Sequence, residues 1–291
     1  MKKLRIKYTL TAPLSHIGET SSVGSYFQTV NTAYGRIPVV TGNSVRGILR
    51  DKLASHLLSV LGIAVDKETF NVLFSGGNIS GSSKNDVERA KLVREHFPAV
   101  SLLGAGLGTM MMSGNLCAGF LYPVCSEACD ITGEYSDISW HDLIDEIEFT
   151  RFDDTKNDKC LGMITDINEE KKAKASTQMR FGVQYIALGT VFVQDIILLD
   201  GASELEEAAL YTALYEWFKC PALGGMKAKG FGKFNAETEG ISVVNGEITV
   251  SDDVKGKIQK YSDFISEDKS AEWLYLLSGG KADGKKSDKT A

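Results

Sequence analysis

The residues best suited to binding chemistry lie at 223–233, in the sequence LGGMKAKGFGK, which we call the glycine-lysine loop. It holds four glycines, three lysines and one phenylalanine, and no acidic residue. Glycine lets one backbone approach another closely, lysine attracts phosphates, and Phe231 offers a face on which a base can stack. This composition predicts a loop that contacts a nucleic-acid strand, with a tight glycine turn as the plainer alternative.

The motifs of nucleotide cofactors do not fit this loop. A dinucleotide fingerprint needs Gly-x-Gly-x-x-Gly after a strand and before a helix, whereas Gly230 and Gly232 follow a predicted helix and precede a predicted strand. A P-loop ends in Gly-Lys-Ser or Gly-Lys-Thr, but Lys233 is followed by Phe234. Contacts along a polymer are therefore favoured, and no cofactor is expected.

A second predicted phosphate contact is the start of a helix near residue 43. A helix N-terminus presents backbone N–H groups and the positive end of its dipole. Asn43 or Ser44 is the predicted N-cap, and Arg46 and Arg50 lie one turn apart on the same face. The alternative is an ordinary capped helix with two solvated arginines.

No set of residues has the pattern of a catalytic site. His16 and Glu19 could perform acid–base chemistry, although a single histidine beside an apolar residue is more often a hydrogen-bonded structural group. Asp153, Asp154 and Asp158 could hold a metal ion, but an acidic surface turn is commoner. We therefore predict no catalytic residue.

The cysteines leave a zinc site open. They are Cys117, Cys125, Cys129, Cys160 and Cys220. Cys125 and Cys129 have a spacing found among zinc ligands. Cys117, Cys160 or His141 would have to complete the site. An odd, scattered set without a second close pair favours reduced thiols, so no metal is predicted.

Composition indicates a globular protein of one large domain or two small ones, with 291 residues, 43% hydrophobic and 24% charged. The net charge of -6 argues against a polyanion partner, but the charge is segregated: residues 36–52 hold four bases and one acid. Only the local field acts within a Debye length. No apolar run is long enough for a membrane span or a signal peptide, so a cytoplasmic protein without membrane contact is expected.

The N-terminal half contains one clear strand and one clear helix. Alternating apolar residues predict a strand over 4–10, and helical spacing predicts a helix over 45–60. Residues 15–35 resemble a polar connection, and 75–85 a flexible loop. Glycines disfavour a helix over 102–112, whose three methionines are expected in the core.

The C-terminal half contains strands around a second helix. A capping box at 203–206 opens that helix. Strands are predicted over 190–199 and around 234–236, and Asn245-Gly246 predicts a hairpin turn. A last amphipathic helix is predicted over 254–277.

The order strand, helix, insertion, strands, helix, strand predicts an α+β fold with a ferredoxin-like βαββαβ sheet, which RNA-recognition folds share. We expect a single domain over 1–278, with its core at 1–60 and 181–250, an insertion at 62–135, a projecting arm at 145–180 and a disordered tail at 279–291.

Four segments, in this order, resemble the RAMP superfamily of CRISPR effector complexes. They are LTAPLSHIG at 10–18, IPVVTGNSVRGILR at 37–50, LLG at 102–104, and the glycine-lysine loop. The chain looks most like the backbone subunit of type IV or type III complexes, which polymerises along the guide RNA.

The resemblance implies a hand-shaped subunit whose palm is the RRM-like core and whose thumb is the arm, folded over the guide of the next copy. The implied partners are guide RNA (crRNA), neighbouring copies of the chain, other CRISPR effector subunits, and a target nucleic acid paired to the guide. The residues then expected to contact RNA are His16, Asn43, Ser44, Arg46, Arg50, Arg151, Lys156, Met163, Arg180, Gly225, Lys227, Lys229, Phe231 and Lys233.

One departure from the family bears on catalysis. Type III backbone subunits that cut target RNA carry an aspartate in the loop after the first strand, and residues 19–27 contain none. We therefore expect RNA binding without nuclease activity. Two alternatives remain: a metal-dependent RNA-cleaving subunit that uses Glu19 or an acid of 153–158, and an unrelated ferredoxin-like domain that binds a small molecule or a protein.

Overall fold

The structure is a computed structural model, and it describes residues 1–20, 24–79, 86–108, 110–151, 179–267 and 270–278. Its strands are β1 (Lys2–Leu10), β2 (Ile17–Thr20), β3 (Gly24–Phe27), β4 (Thr29–Thr32), β5 (Gly35–Pro38), β6 (Gly77–Ile79), β7 (Ala105–Gly108), β8 (Met111–Met112), β9 (Leu116–Ala118), β10 (Tyr122–Pro123), β11 (Ile144–Arg151), β12 (Met179–Ile186), β13 (Val191–Leu198), β14 (Phe234–Thr238), β15 (Ile241–Val244) and β16 (Glu247–Val250). Its α-helices are α1 (Gly42–Leu61), α2 (Lys67–Ser75), α3 (Val87–His96), α4 (Pro98–Leu103), α5 (Cys129–Thr132), α6 (Trp140–Leu143), α7 (Glu204–Phe218), α8 (Asp252–Glu267) and α9 (Tyr275–Ser278).

The main sheet is built around β1. β13 and β14 pair with its two sides, both antiparallel. β9 and β10 pair with the far edge of β13, and β15 and β16 continue the sheet beyond β14. Leu4, Ile6, Tyr8 and Leu10 are buried and the residues between them are exposed. The strand predicted over 4–10 is confirmed, because the period-two alternation matches a sheet with one buried face.

The connections around this sheet are those of a ferredoxin-like fold with insertions. β1 leads into α1, β9 and β10 form the second strand, and β13 leads through α7 into β14. The α+β class is confirmed. The second strand lies at 116–123, however, inside the stretch 62–135 that the sequence assigns to an insertion. β9 and β10 have three and two residues, too few to give a period-two pattern.

Aromatic side chains join α7 to the main sheet. The ring centroids of Trp217 and Phe234 are 5.3 Å apart, and those of Tyr8 and Phe234 are 5.2 Å apart. The capping box is confirmed: Glu206 N–H donates to Ser203 Oγ at 3.2 Å, and Ser203 N–H donates to the Glu206 carboxylate at 2.7 Å. α7 therefore starts where its side chains satisfy the first free N–H groups.

The start of α1 differs from the prediction. Thr41 is the N-cap, and its hydroxyl accepts the N–H of Ser44 at 3.4 Å. Asn43 and Ser44, the predicted caps, lie in the first turn of the helix. Threonine is also a preferred N-cap residue, so the sequence does not choose between Thr41, Asn43 and Ser44, and a tertiary contact decides. A Cβ on Gly42 would stand 2.0 Å from the carbonyl oxygen of Ala118 in β9, so the helix starts against that strand.

A second, smaller sheet has the order β11-β12-β3-β2. β3 pairs parallel with β12 and antiparallel with β2, and β4 and β5 form a separate hairpin. Most of the stretch 15–35 is therefore strand, where the sequence predicts a polar connection. These strands have four residues each, too few for a clear alternation, and β3 also pairs with β12, far along the chain, so local patterning misses them. β11 and β12 begin and end the predicted arm, and residues 152–178 lie outside the described residues.

The insertion between α1 and β9 packs on the same hydrophobic core as the main sheet. Part of the predicted loop at 75–85 is β6, and residues 80–85 are outside the described part. The glycines after Leu103 end α4, as expected. Met110 and Met112 are buried, whereas Met111 is 73% exposed, so its predicted place in the core is wrong.

The C-terminal helix is interrupted. α8 ends at Glu267, and a 3-10 turn at Ser270–Trp273 separates it from α9, so the single helix predicted over 254–277 is wrong. The hairpin at Asn245-Gly246 is confirmed, with φ of 52° and 85° at the two residues. The predicted tail lies outside the described residues. Within the described ranges, each helix is too short or too polar to cross a bilayer.

Candidate nucleic-acid interface

The glycines of the glycine-lysine loop serve contacts within the protein. A Cβ on Gly224 would lie 2.2 Å from the carbonyl oxygen of Ser15, and the φ of Gly224 is 67°. The N–H of Gly225 donates to that same oxygen at 2.8 Å, and the N–H of Gly232 donates to Pro13 at 2.7 Å. The loop is thus bound to the chain that follows β1. The N–H of Gly225 thus already has a protein acceptor, and the predicted RNA contact of Gly225 stays a prediction.

Phe231 is largely covered by other side chains. Its side chain is 7% exposed and packs against Phe149 of β11 and Tyr185 of β12, at centroid distances of 6.2 and 6.4 Å. Phe231 thus anchors the loop to one face of the second sheet, a role that only the tertiary structure reveals. It also lines the cavity described below, and its predicted contact with a base stays a prediction.

The lysines of the loop point to solvent. Lys227 and Lys229 lie in a 3-10 turn and Lys233 just before β14, and all three side chains are exposed. Lys229 Nζ stands 4.5 Å from the ring centroid of Phe149, within cation–π range. The positive charge of Lys227 acts on Asp51, where burial raises the pKa of the carboxyl and Lys227 opposes that rise.

Two lysines of the loop line a cavity of about 660 Å³ that we call the lysine groove. Lys52 of α1 and Lys219 after α7 join Lys227 and Lys233 in its walls. Among the described residues that line it, none is Asp or Glu. Lys219 pairs with Glu216 at 2.7 Å, whereas the other three form no ion pair within the described part of the chain. Four cations around one groove attract a polyanion.

The groove also has neutral hydrogen-bonding and apolar groups. Asn235 of β14 and Asn245 of the β15–β16 turn lie along it, and Trp217 and Phe234 form part of its floor. Amides and lysines contact the sugar and phosphate of a nucleic acid without reading its sequence. The arrangement can therefore hold a strand of any sequence.

The sequence does not single out two of the groove's lysines. Lys52 belongs to the basic run at 36–52, which was the only signal for it. Lys219 lies at the end of α7 beside Pro221, and nothing in its local sequence marks it. Both enter the groove because α1 and the end of α7 are adjacent in the fold.

Arg46 and Arg50 bind protein carbonyls. Nη2 of Arg46 donates to Leu103 at 2.6 Å, and Nη2 of Arg50 donates to Leu103 and Gly104 at 3.2 and 2.9 Å. Burial, and then the charge of Arg46, lower the pKa of the Arg50 guanidinium. The two arginines therefore secure the end of α4. The alternative of solvated side chains does not fit these contacts, and the predicted RNA contacts of Arg46 and Arg50 stay predictions.

At the start of α1, Asn43 is exposed, and Ser44 Oγ lies 3.2 Å from Thr41 Oγ1. His16 supports this start: its Nε2 accepts the N–H of Thr41 at 3.4 Å, and its ring meets Phe27 edge-on at 6.0 Å. Burial lowers the pKa of His16, which favours the neutral ring that the hydrogen bond needs. The structural alternative for His16 thus fits the geometry.

The other predicted contacts lie on the arm. Arg151 pairs with Met179 in the β11–β12 ladder, and Arg180 pairs with Thr150. Lys156 and Met163 lie outside the described residues, so their predicted RNA contacts stay predictions.

The described residues give no support to the alternative catalytic and metal sites. Glu19 lies on β2, and 153–158 is outside the described part of the chain. Burial, and then a hydrogen bond with Glu127, raise the pKa of Cys125 to about 12. The thiol of Cys129 donates to the carbonyl of Cys125 at 3.3 Å. Among the described residues, no three His, Cys, Asp or Glu side chains are grouped to hold a metal ion.

The comparisons with known proteins bear on the fold. No protein-family model matches the chain, and no curated protein is similar to it. A solved chain from a Type IV-B CRISPR complex is similar in structure, with a TM-score of 0.59 and 18% sequence identity. The match covers 81% of this chain and 90% of that chain. The similarity thus covers most of both chains. At 18% sequence identity it supports a shared fold and nothing finer.

Proposed function

We propose that this chain is a guide-RNA-binding backbone subunit of a CRISPR effector complex. The observation that carries the proposal is the lysine groove: four lysines from separate parts of the chain surround one cavity whose described lining has no carboxylate. Contacts of this kind give affinity without sequence preference, which a protein that holds many different guides requires.

The fold supports this role. The similarity to a chain of a Type IV-B CRISPR complex covers most of both chains, and it agrees with the order of motifs along the sequence. In the proposed assembly, copies of the chain polymerise along the guide and associate with other effector subunits. The guide then pairs with a target nucleic acid, as in other RNA-guided complexes.

We propose that the subunit does not cut nucleic acid. Hydrolysis of RNA with a divalent metal needs carboxylates that hold the ion beside the scissile phosphate. The described lining of the lysine groove contains none, and residues 19–27 contain no aspartate. The groove suits holding a strand.

Assembly on RNA tests the proposal. Purified protein is mixed at low salt with guide RNAs of increasing length, and the mass of the complex is measured by light scattering after gel filtration. The expected result is an RNA-dependent multimer whose copy number grows with RNA length. A protein that stays monomeric and unbound by guide RNA at low salt contradicts the proposal.

A further inference from the structure

A second cavity, of about 530 Å³, lies on the other face of the second sheet. Gln184 lines it and the next residue of β12, Tyr185, packs on Phe231 of the glycine-lysine loop. Successive residues of a strand point to opposite faces, so the sheet separates this cavity from the loop. We call it the aromatic cleft, after Tyr26, Trp140 and His141 in its walls.

The walls of the aromatic cleft present flat rings. Tyr26 of β3 is 43% exposed. The rings of Trp140 and His141 stack with a centroid distance of 3.8 Å and an angle of 29°. Tyr26 and His141 are exposed and Trp140 is half-buried. Aromatic rings that border one cavity suit a flat, unsaturated ligand, which stacks on them.

The Trp140 wall is held in place from behind. Glu127 accepts the hydroxyl of Ser139 at 2.5 Å and the N–H of Trp140 at 3.1 Å. Burial alone would raise the pKa of Glu127, but these hydrogen bonds lower it to about 2. The side chain of Trp140 also packs on the small core of Ile37 and Val39. The cleft is thus formed before any ligand binds.

Two side chains supply hydrogen-bond donors. Gln184 Oε1 accepts the N–H of Phe27 at 3.2 Å, which orients the amide and leaves its NH₂ group to donate. Arg36 Nε donates to Thr29 Oγ1 at 2.5 Å, and its remaining guanidinium donors have no acceptor among the described residues. The described lining contains no Asp or Glu. The ligand that fits therefore has a flat ring with acceptors on its edge.

We propose that the aromatic cleft binds one unpaired nucleobase. A base stacks on Tyr26 or Trp140 and offers ring nitrogen and carbonyl acceptors to Arg36 and Gln184. The aromatic side chain of a protein partner stacks equally well but lacks these acceptors. The inference rests on the proposed function, because the base belongs to the nucleic acid that the chain holds.

The first test uses single nucleotides. Trp140 is the reporter, and the quenching that counts is the part lost in Trp140→Leu, because Trp217 lines the lysine groove and reports a nucleotide bound there. Adenosine and uridine monophosphate are titrated while tryptophan fluorescence is recorded. We expect saturable quenching that is lost in Trp140→Leu and weakened roughly five- to hundred-fold in Tyr26→Ala, which loses a stacking face.

Tyr135→Ala is the matched control, because Tyr135 is 88% exposed and does not line the cleft. It should quench like the unmodified protein. An absence of saturable quenching, or equal quenching in Tyr26→Ala, overturns the proposal. Quenching by N-acetyltyrosinamide but by neither nucleotide also overturns it and assigns the cleft to a protein side chain.

The second test uses RNA that carries 5-iodouridine, irradiated in complex with the protein. We expect cross-links to Tyr26 or Trp140, mapped by mass spectrometry. If RNA binds but cross-links only to other residues, the proposed base binding by the aromatic cleft is wrong and the proposed function still stands. RNA that fails to bind contradicts the proposed function. The nucleotide titration alone then tests whether the aromatic cleft binds a base.

Discussion

The backbone N–H of Gly225 donates to the carbonyl oxygen of Ser15 at 2.8 Å. This bond joins the glycine-lysine loop to the chain that follows β1, and it holds the turn that carries Lys227 beside the lysine groove. The glycines thus act through the protein's own packing, and the lysines are the groups left to meet a ligand.

Gly224→Ala should destabilise the fold by about 2–4 kcal/mol, through a positive φ and overpacking. The added Cβ meets the Ser15 oxygen at 2.2 Å. Urea unfolding followed by circular dichroism measures the change. Gly47→Ala is the control: it lies within α1 with open space around it, and it should stabilise by ~0.5–1 kcal/mol. Equal effects of the two substitutions would contradict the close packing of the loop.

Arg50 and Lys52 provide a pair of substitutions on one helix with opposite expected effects. Arg50→Met removes the donor to Leu103 and Gly104 and should lower the free energy of unfolding by about 1–3 kcal/mol. Lys52→Met should leave stability within about 0.5 kcal/mol and weaken RNA binding. Urea unfolding and fluorescence anisotropy with labelled RNA measure both. A stable Arg50→Met protein that loses RNA affinity would instead assign Arg50 to phosphate contact.

His16 should make the protein less stable in acid. Its folded-state pKa is lowered below the ordinary value of 6.5, so the unfolded chain binds the proton first as the pH falls. The stability that the neutral ring contributes is complete above 6.5 and is lost as the pH drops towards the folded value. Urea unfolding between pH 7.5 and 5 should show a smaller loss in His16→Gln. An unchanged pH dependence would contradict a buried, neutral His16 ring.

Those elements of the main sheet that depend on local sequence patterns could be predicted. The alternation over 4–10, the capping box at Ser203 and the turn at Asn245-Gly246 each depend on neighbouring residues, and all are confirmed. β9 and β10 could not be predicted, because such short strands exist only through pairing with β13. β3 forms for the same reason, by pairing with β12, whereas β2 pairs with β3 and β4 with β5.

The candidate site was predictable in its charge but not in its geometry. All three lysines of the glycine-lysine loop are exposed, as their type suggests, and Lys227 and Lys233 line the groove. Phe231 packs on β11 and β12 besides lining the groove, and Arg50 donates to the end of α4. Lys219 joins the site only through the approach of α7 to α1.

The chain should not cleave RNA. Guide-loaded protein incubated with complementary RNA and Mg²⁺ should leave the RNA intact on a denaturing gel, because the described groove lining offers no carboxylate to hold the metal. Regularly spaced fragments that disappear in Glu19→Ala would support the cleaving alternative.

The salt dependence of guide-RNA affinity tests the role of the lysine groove most directly. Anisotropy titrations from 50 to 200 mM salt compare the unmodified protein with Lys227→Gln/Lys233→Gln. The control is Lys91→Gln, an exposed lysine of α3 that does not line the groove. Each lost phosphate contact reduces the slope of log affinity against log salt by about 0.7 for a single strand. We expect the double variant to bind more weakly, with a slope smaller by about 1.4, and Lys91→Gln to keep the original slope. Identical slopes and affinities in all three proteins would contradict the account.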